Sequence, residues 1–125
     1  MPELTPLSLE RVGEDNRTLM VRATGCLSEA SSGVASQTLE SLLGGDCYAK
    51  PVLLDLNYVD FIDSSGIGWL LGAHRRFRTA GGALVLHSIP PVVRHTLKVL
   101  RMDEVFRLAK DENEARSLVG GEAAL

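Results

Sequence analysis

The sequence predicts an α/β fold with a mostly parallel central β-sheet, one edge hairpin strand and four helices. Two observations carry the prediction. Short apolar runs alternate with amphipathic stretches of helical length in the order β-β-α-β-α-β-α-β-α, which implies crossover connections within one sheet. The run Val52-Leu53-Leu54-Asp55-Leu56 is almost continuously apolar, as a parallel strand covered on both faces requires.

Each element has its own signal. Leu7 to Val12 reads as an edge strand, Gly13-Glu14-Asp15-Asn16 as the turn after it, and Leu19 to Ala23 as the second arm of a hairpin that ends at Gly25-Cys26-Leu27-Ser28. Ser31 or Ser32 can cap a first helix carrying Val34, Leu39, Leu42 and Leu43, with Gly44-Gly45 as its stop. The strand Val52–Leu56 follows. After a short acidic connection at Asp60-Phe61-Ile62-Asp63, a second helix spans about Ser65 to Thr79. Its apolar positions Ile67, Leu70, Leu71, His74 and Phe77 recur at three- and four-residue steps, and Gly81-Gly82 ends it. Ala83–His87 reads as a strand, Pro91 as the first turn of a helix with Val92, Val93, Leu97 and Leu100, and Val105–Leu108 as the last strand. Asp111 starts a fourth helix through Glu114, Ala115, Leu118 and Val119, stopped by Gly120-Gly121 before a short frayed tail. The expectation is one domain over residues 1–125, with its core at about 7–119.

Composition excludes several classes. A chain of 125 residues with 45% hydrophobic and 23% charged residues can bury a core without metal or disulfide staples. The net charge is -3, and the densest basic cluster, Arg75-Arg76 with Arg78, reads as a solvated helix face, so no direct contact with nucleic acid is expected. No apolar run has the length of a membrane span, and the first residues lack the basic flank and apolar core of a secretion signal; no membrane insertion and a cytoplasmic location are expected. Cys26 and Cys47 lack paired metal-ligand spacing and read as small buried thiols; no metal and no cofactor are expected. His74, His87 and His95 have no ligand spacing either and read as incidental or core-edge residues.

The chemistry concentrates at the start of the second helix. Ser64 or Ser65 falls where a helix N-cap is preferred, its hydroxyl able to accept from the free amides of the first turn. The same position suits a phosphate, because orphan amides and the helix dipole point at it. A plain cap and a phosphoswitch are both open. Gly66 and Gly68 in the first turns each cost about 1 kcal/mol relative to alanine, which suggests close approach by backbone or partner. Trp69 lies off the apolar stripe, either as an exposed interface anchor or folded back over the sheet.

The stretch Asp63-Ser64-Ser65-Gly66-Ile67-Gly68, preceded by the strand Leu54-Asp55-Leu56 and followed by a helix ending in Gly81-Gly82, resembles a STAS domain. More narrowly it is similar to the stand-alone anti-sigma factor antagonists of bacterial partner-switching systems. The likeness runs from about Leu7 to Val119. It is densest from Val52 to Gly82, and Ile89–Val93 and Leu100–Phe106 resemble the family's third helix and the turn after it.

The resemblance implies a non-enzymatic binding module in transcription regulation. In its unphosphorylated form it would bind an anti-sigma factor that is also a serine kinase, and so release a sigma factor. The first serine after the aspartate is the family's phosphorylation site, here Ser64, and a serine phosphatase would reset it. ATP belongs to the kinase. Asp63, Ser64, Ser65, Gly66, Ile67, Trp69 and Ser28 form the expected partner surface, and Asp63 is a cap, a charge complementing the helix dipole, or an aid to the kinase in placing magnesium. The family often carries an aspartate after the Gly-x-Leu of the second strand. Here Ser28 follows Gly25-Cys26-Leu27, which takes a carboxylate off the surface that a kinase would read. The oligomeric state implied is a monomer or weak dimer.

Other classes fare differently. There is no Gly-x-Ser-x-Gly elbow and no phosphate-binding or dinucleotide loop, and Asp60 and Asp63 are too local for an acid/base couple, so no enzyme is expected. The alternative is a constitutive accessory subunit of a lipid or anion transport system or a stressosome-like assembly. A third reading is a weak nucleotide sensor at the helix N-terminus.

Overall fold

The computed structural model describes residues 7–15, 17–28 and 39–123. Five strands lie in the sheet in sequence order: β1 (Ser8–Asp15), β2 (Thr18–Leu27), β3 (Pro51–Ile62), β4 (Ala83–His87) and β5 (Arg107–Ala109). β1 is antiparallel to β2, and β2 to β5 are mutually parallel. The helices are α1 (described over residues 39–43), α2 (Ser64–Ala80), α3 (Pro91–Val99) and α4 (Glu112–Ala123), with short 3-10 turns at Cys47–Ala49 and Met102–Glu104. The predicted α/β architecture, with its hairpin edge and four helices, is the one observed.

The two faces of the sheet are covered unequally. The larger core packs α1, α2 and α3 on one face, around Val21, Val52, Leu54, Leu56, Leu70, Phe77, Leu86, Val93 and Leu97. On the other face Ala115 and Val119 of α4 cover Met20, Leu53, Val85 and Ala109. β3 is therefore buried on both faces only over Val52–Leu54. Beyond that, its outer face carries Asp55 in a cross-sheet row with Arg22 and His87, and Tyr58 and Phe61 emerge exposed.

Several boundaries differ from the expected ones. Gly13, Glu14 and Asp15 belong to β1, paired with Met20, Leu19 and Thr18; cross-strand pairing overrides local turn chemistry, and Arg17, just before β2, adopts φ 73°. β2 continues through Gly25-Cys26-Leu27, and β3 through the supposed acidic connection to Ile62, because Cys26 pairs with Phe61 and Leu27 with Ile62. β5 begins at Arg107, two residues late, because Val105 and Phe106 bond back to Met102 in a tight turn. α4 passes through Gly120-Gly121 to Ala123 rather than stopping there. Ser31, Ser32 and Val34 lie outside the described residues.

Other expectations hold. Cys26 and Cys47 are buried and outside any disulfide, and Pro91 opens α3 at its first position. Of the four apolar residues noted for α3, Val93 and Leu97 are buried, whereas Val92 and Leu100, the residue after the helix, are exposed. α2 closes as its sequence requires: Gly81 takes a left-handed φ of 91°, and Gly82 donates to the Phe77 carbonyl at 2.9 Å.

Candidate functional site

The start of α2 is assembled from the carboxyl ends of β2 and β3. The Asp63 amide donates to the Leu27 carbonyl at 3.3 Å, which ties the residue after β3 to the end of β2, beside half-buried Ser28. The Asp63 Oδ1 accepts from the Gly66 amide at 2.9 Å, and the Asp63 carbonyl accepts from Ile67 at 2.9 Å. Asp63 is thus the N-cap, with the extended backbone a cap requires. The sequence expectation that Ser64 or Ser65 caps the helix is corrected. An ionised carboxylate one residue earlier is the stronger acceptor at a dipole's positive end, so Ser64 and Ser65 become the first two helical residues.

This shift sets what each side chain can do. Ser64 is exposed and Ser65 half-buried. Their backbone amides lie in the first turn, where no intrahelical acceptor exists, and no acidic residue stands in that turn to neutralise them. The hydroxyl of Ser64 therefore sits where a phosphate would meet a favourable dipole, opposed by the charge of Asp63.

Gly66 and Ile67 are buried, so of the expected partner surface these two position the helix rather than meet solvent. A Cβ on Gly66 would stand 2.1 Å from the Leu27 carbonyl oxygen, so the helix start presses directly on the end of β2. Gly68, by contrast, faces open space. Trp69 is half-buried and packs against the main core with the rest of its side chain open to solvent. Ala73 is buried on the stripe, whereas Leu71 is only half-buried.

Two aromatic residues that the sequence reading passed over stand beside this site. Tyr58 is 49% exposed and Phe61 41%, near the end of β3, six and three residues before Ser64. The Arg22 guanidinium lies 5.0 Å from the Tyr58 ring centroid and reaches Asp55 at 3.8 Å, while Asp55 accepts from the Asn57 amide at 2.9 Å. Sequence alternation gives no signal for them: Leu54 and Leu56 are buried, a two-residue rhythm would bury Tyr58 as well, and the phase changes only where the β2–β3 register shifts. The remaining arginines of α2 are exposed, and Arg76 meets the Tyr48 hydroxyl at 3.3 Å and Glu40 at 3.7 Å.

A family model described as STAS domain matches residues 11–115. The chain belongs to the STAS domain family. Among curated relatives, an anti-sigma F factor antagonist of Paenibacillus polymyxa is 28% identical over 98 residues, covering 78% of this chain and 82% of the relative. Among solved structures, the anti-sigma factor antagonist SpoIIAA in its unphosphorylated form superposes with a TM-score of 0.64 at 23% identity, covering 92% of this chain and 98% of SpoIIAA. SpoIIAA of Bacillus is also known in a phosphorylated form. The murine anion transporter Slc26a9 contains a similar fold, with a TM-score of 0.74 at 19% identity, covering 89% of this chain and 18% of the transporter. Within this STAS chain no described helix is long and apolar enough to cross a membrane.

Proposed function

We propose that this STAS domain is an anti-sigma factor antagonist whose Ser64 is a phosphorylation switch. The observation that carries the reading is the cap: Asp63 bonds the Gly66 amide and leaves the Ser64 hydroxyl exposed at the first helical position. A serine engaged as cap would have to break that bond to accept a phosphate. This one does not.

The physics of the switch lies at the partner surface. Phosphorylation adds about -1.5 to -2 charges and three acceptor oxygens. The amides of the first turn favour that group and Asp63 opposes it, so the domain's own stability changes little. A partner packed over the helix start would have to desolvate the phosphate, which is costly without an arginine mate. The unphosphorylated form binds an anti-sigma factor with serine kinase activity; the phosphorylated form releases it, and a serine phosphatase restores binding. Tyr58 and Phe61 supply the apolar contact area that such a partner needs.

Phosphosite mapping on protein isolated from its native cells tests this reading, followed by affinity measurement on the Ser64→Asp variant with the co-purifying kinase. Phosphate on Ser64 and weakened binding support it. The transporter-borne relative favours a second reading, a constitutive accessory subunit. Stable co-purification with one partner and no phosphate on Ser64 under any growth condition would establish that reading instead.

A further inference from the structure

The end of α3 carries an exposed apolar patch. Val99 is 64% exposed, and Leu100, the residue after the helix, is exposed with it. The 3-10 turn Met102–Glu104 packs back against α3 and leads into a third exposed residue, Val105, whose amide donates to the Met102 carbonyl at 3.0 Å. Scattered apolar side chains on a surface are ordinary, whereas three gathered at one helix end suit an interface. α2 and α3 each begin where a parallel strand ends, so both run back along the sheet. The end of α3 therefore lies at the pole away from Ser64.

Four charges frame the patch, the cations Lys98 and Arg101 and the anions Asp103 and Glu104. All four are exposed, and among the described residues none of them forms a salt bridge. Arg101 also takes a left-handed φ of 58°. A left-handed residue after a helix is commonly glycine, as Gly81 is after α2, because a Cβ is disfavoured there. Arg101 keeps a long cation in that conformation, and backbone strain of this kind concentrates at functional positions.

We propose that this patch is the interface of a two-fold symmetric dimer of the chain. A two-fold axis presents the same surface on both partners, so residue i of one copy meets residue j of the other, and j meets i. The patch suits that rule because it carries both signs of charge around an apolar centre. Val99, Leu100 and Val105 of the two copies pack together. Lys98 and Arg101 of each copy face Asp103 and Glu104 of the other. A partner with a surface of one sign fits less well: an acidic one is repelled by Asp103 and Glu104, a basic one by Lys98 and Arg101. The patch is smaller than the roughly 20–30 residues a side of a standard interface, so the dimer dissociates on dilution. The helix start that carries Ser64 stays open in it.

Sedimentation equilibrium of the full chain over a concentration series tests this. Expected is a reversible rise from the mass of one chain to that of two, the same for Ser64→Asp as for wild type. Lys98→Glu with Arg101→Glu makes the patch acidic, and Asp103→Lys with Glu104→Lys makes it basic. Each double variant alone dimerises about tenfold or more weakly, because like charges then face each other. An equimolar mixture of the two associates into a heterodimer. All four positions are exposed, so the folded state survives the substitutions, and a circular dichroism melt of each variant checks this. The proposal is overturned if wild type stays monomeric at every concentration, which would leave the patch to a different protein. It is equally overturned if folded double variants dimerise as wild type does, or if their mixture remains monomeric. Because Ser64 lies at the other pole, the result stands apart from the antagonist reading.

Discussion

Asp63 and Gly66 clamp the first turn of α2, carboxylate oxygen to amide nitrogen at 2.9 Å. The bond satisfies one of the helix's orphan amides with a side chain that precedes the serine pair. Loss of an N-cap acceptor costs about 1 kcal/mol. Asp63→Ala is therefore expected to lower the unfolding free energy by about 1 kcal/mol, whereas Ser64→Ala stays within about 0.5 kcal/mol of wild type. Urea unfolding of the two variants measures the difference. Equal losses would mean that the serine shares the capping and that its hydroxyl is engaged in the helix.

Gly66 and Gly68 share a helix and differ in sign. Alanine is favoured over glycine in a helix interior by about 1 kcal/mol. At Gly68 nothing lies within 4 Å of the added methyl, so Gly68→Ala should stabilise the domain by up to about that amount. At Gly66 the methyl would meet the Leu27 carbonyl oxygen at 2.1 Å and its carbon at 2.7 Å, both backbone atoms of a buried strand end. The helix start would have to lift off β2, and overpacking of this kind costs about 1–3 kcal/mol. Thermal melts of the two variants should therefore move in opposite directions.

The sequence made the element order legible because periodicity reports burial, and the glycine pair at 81–82 reports a helix end. It left the extent of β2 and β3 short, because Gly25 and Asp60 are poor strand formers locally and their pairing, Gly25 with Val59 and Cys26 with Phe61, is a non-local property. The identity of the cap was unreadable for a related reason: Asp63, Ser64 and Ser65 are all good caps, and only the bond from Asp63 to Leu27 fixes which residue comes first. Two valines far apart in fate make the same point. Val93 of α3 is fully buried while its neighbour Val92 is 57% exposed, since only the packed helix sets the phase of a short stripe.

The exposed ring of Phe61 should act on binding rather than on folding. It is 41% exposed, next to the switch, and Cys26 is its cross-strand neighbour. Phe61→Ala is expected to weaken binding to the co-purifying kinase by about tenfold, as removal of an interface anchor worth about 1.4 kcal/mol does. Calorimetric titration measures this, with Val99→Ala on the far side of the molecule as the comparison. Equal affinities for Phe61→Ala and wild type would remove the aromatic pair from the partner surface.

Acid sensitivity should come from His74 and His87. Both are buried, and burial is the main reason each imidazole sits below its ordinary pKa; for His87, Asp55, Glu112 and Asp111 offset part of that effect. The unfolded chain titrates these groups near about 6.5. Below that pH the unfolded state takes up protons that the folded state refuses, so stability is full above about 6.5 and falls as pH drops through the folded-state values. Urea midpoints are therefore expected to be lower at pH 5.5 than at pH 7.5, a window chosen to lie above most carboxylate titration. The double variant His74→Gln, His87→Gln loses stability at both pH values, because its amides replace rings packed in the core, but it should lose the difference between them. A pH dependence undiminished in the double variant would assign the acid sensitivity to other groups.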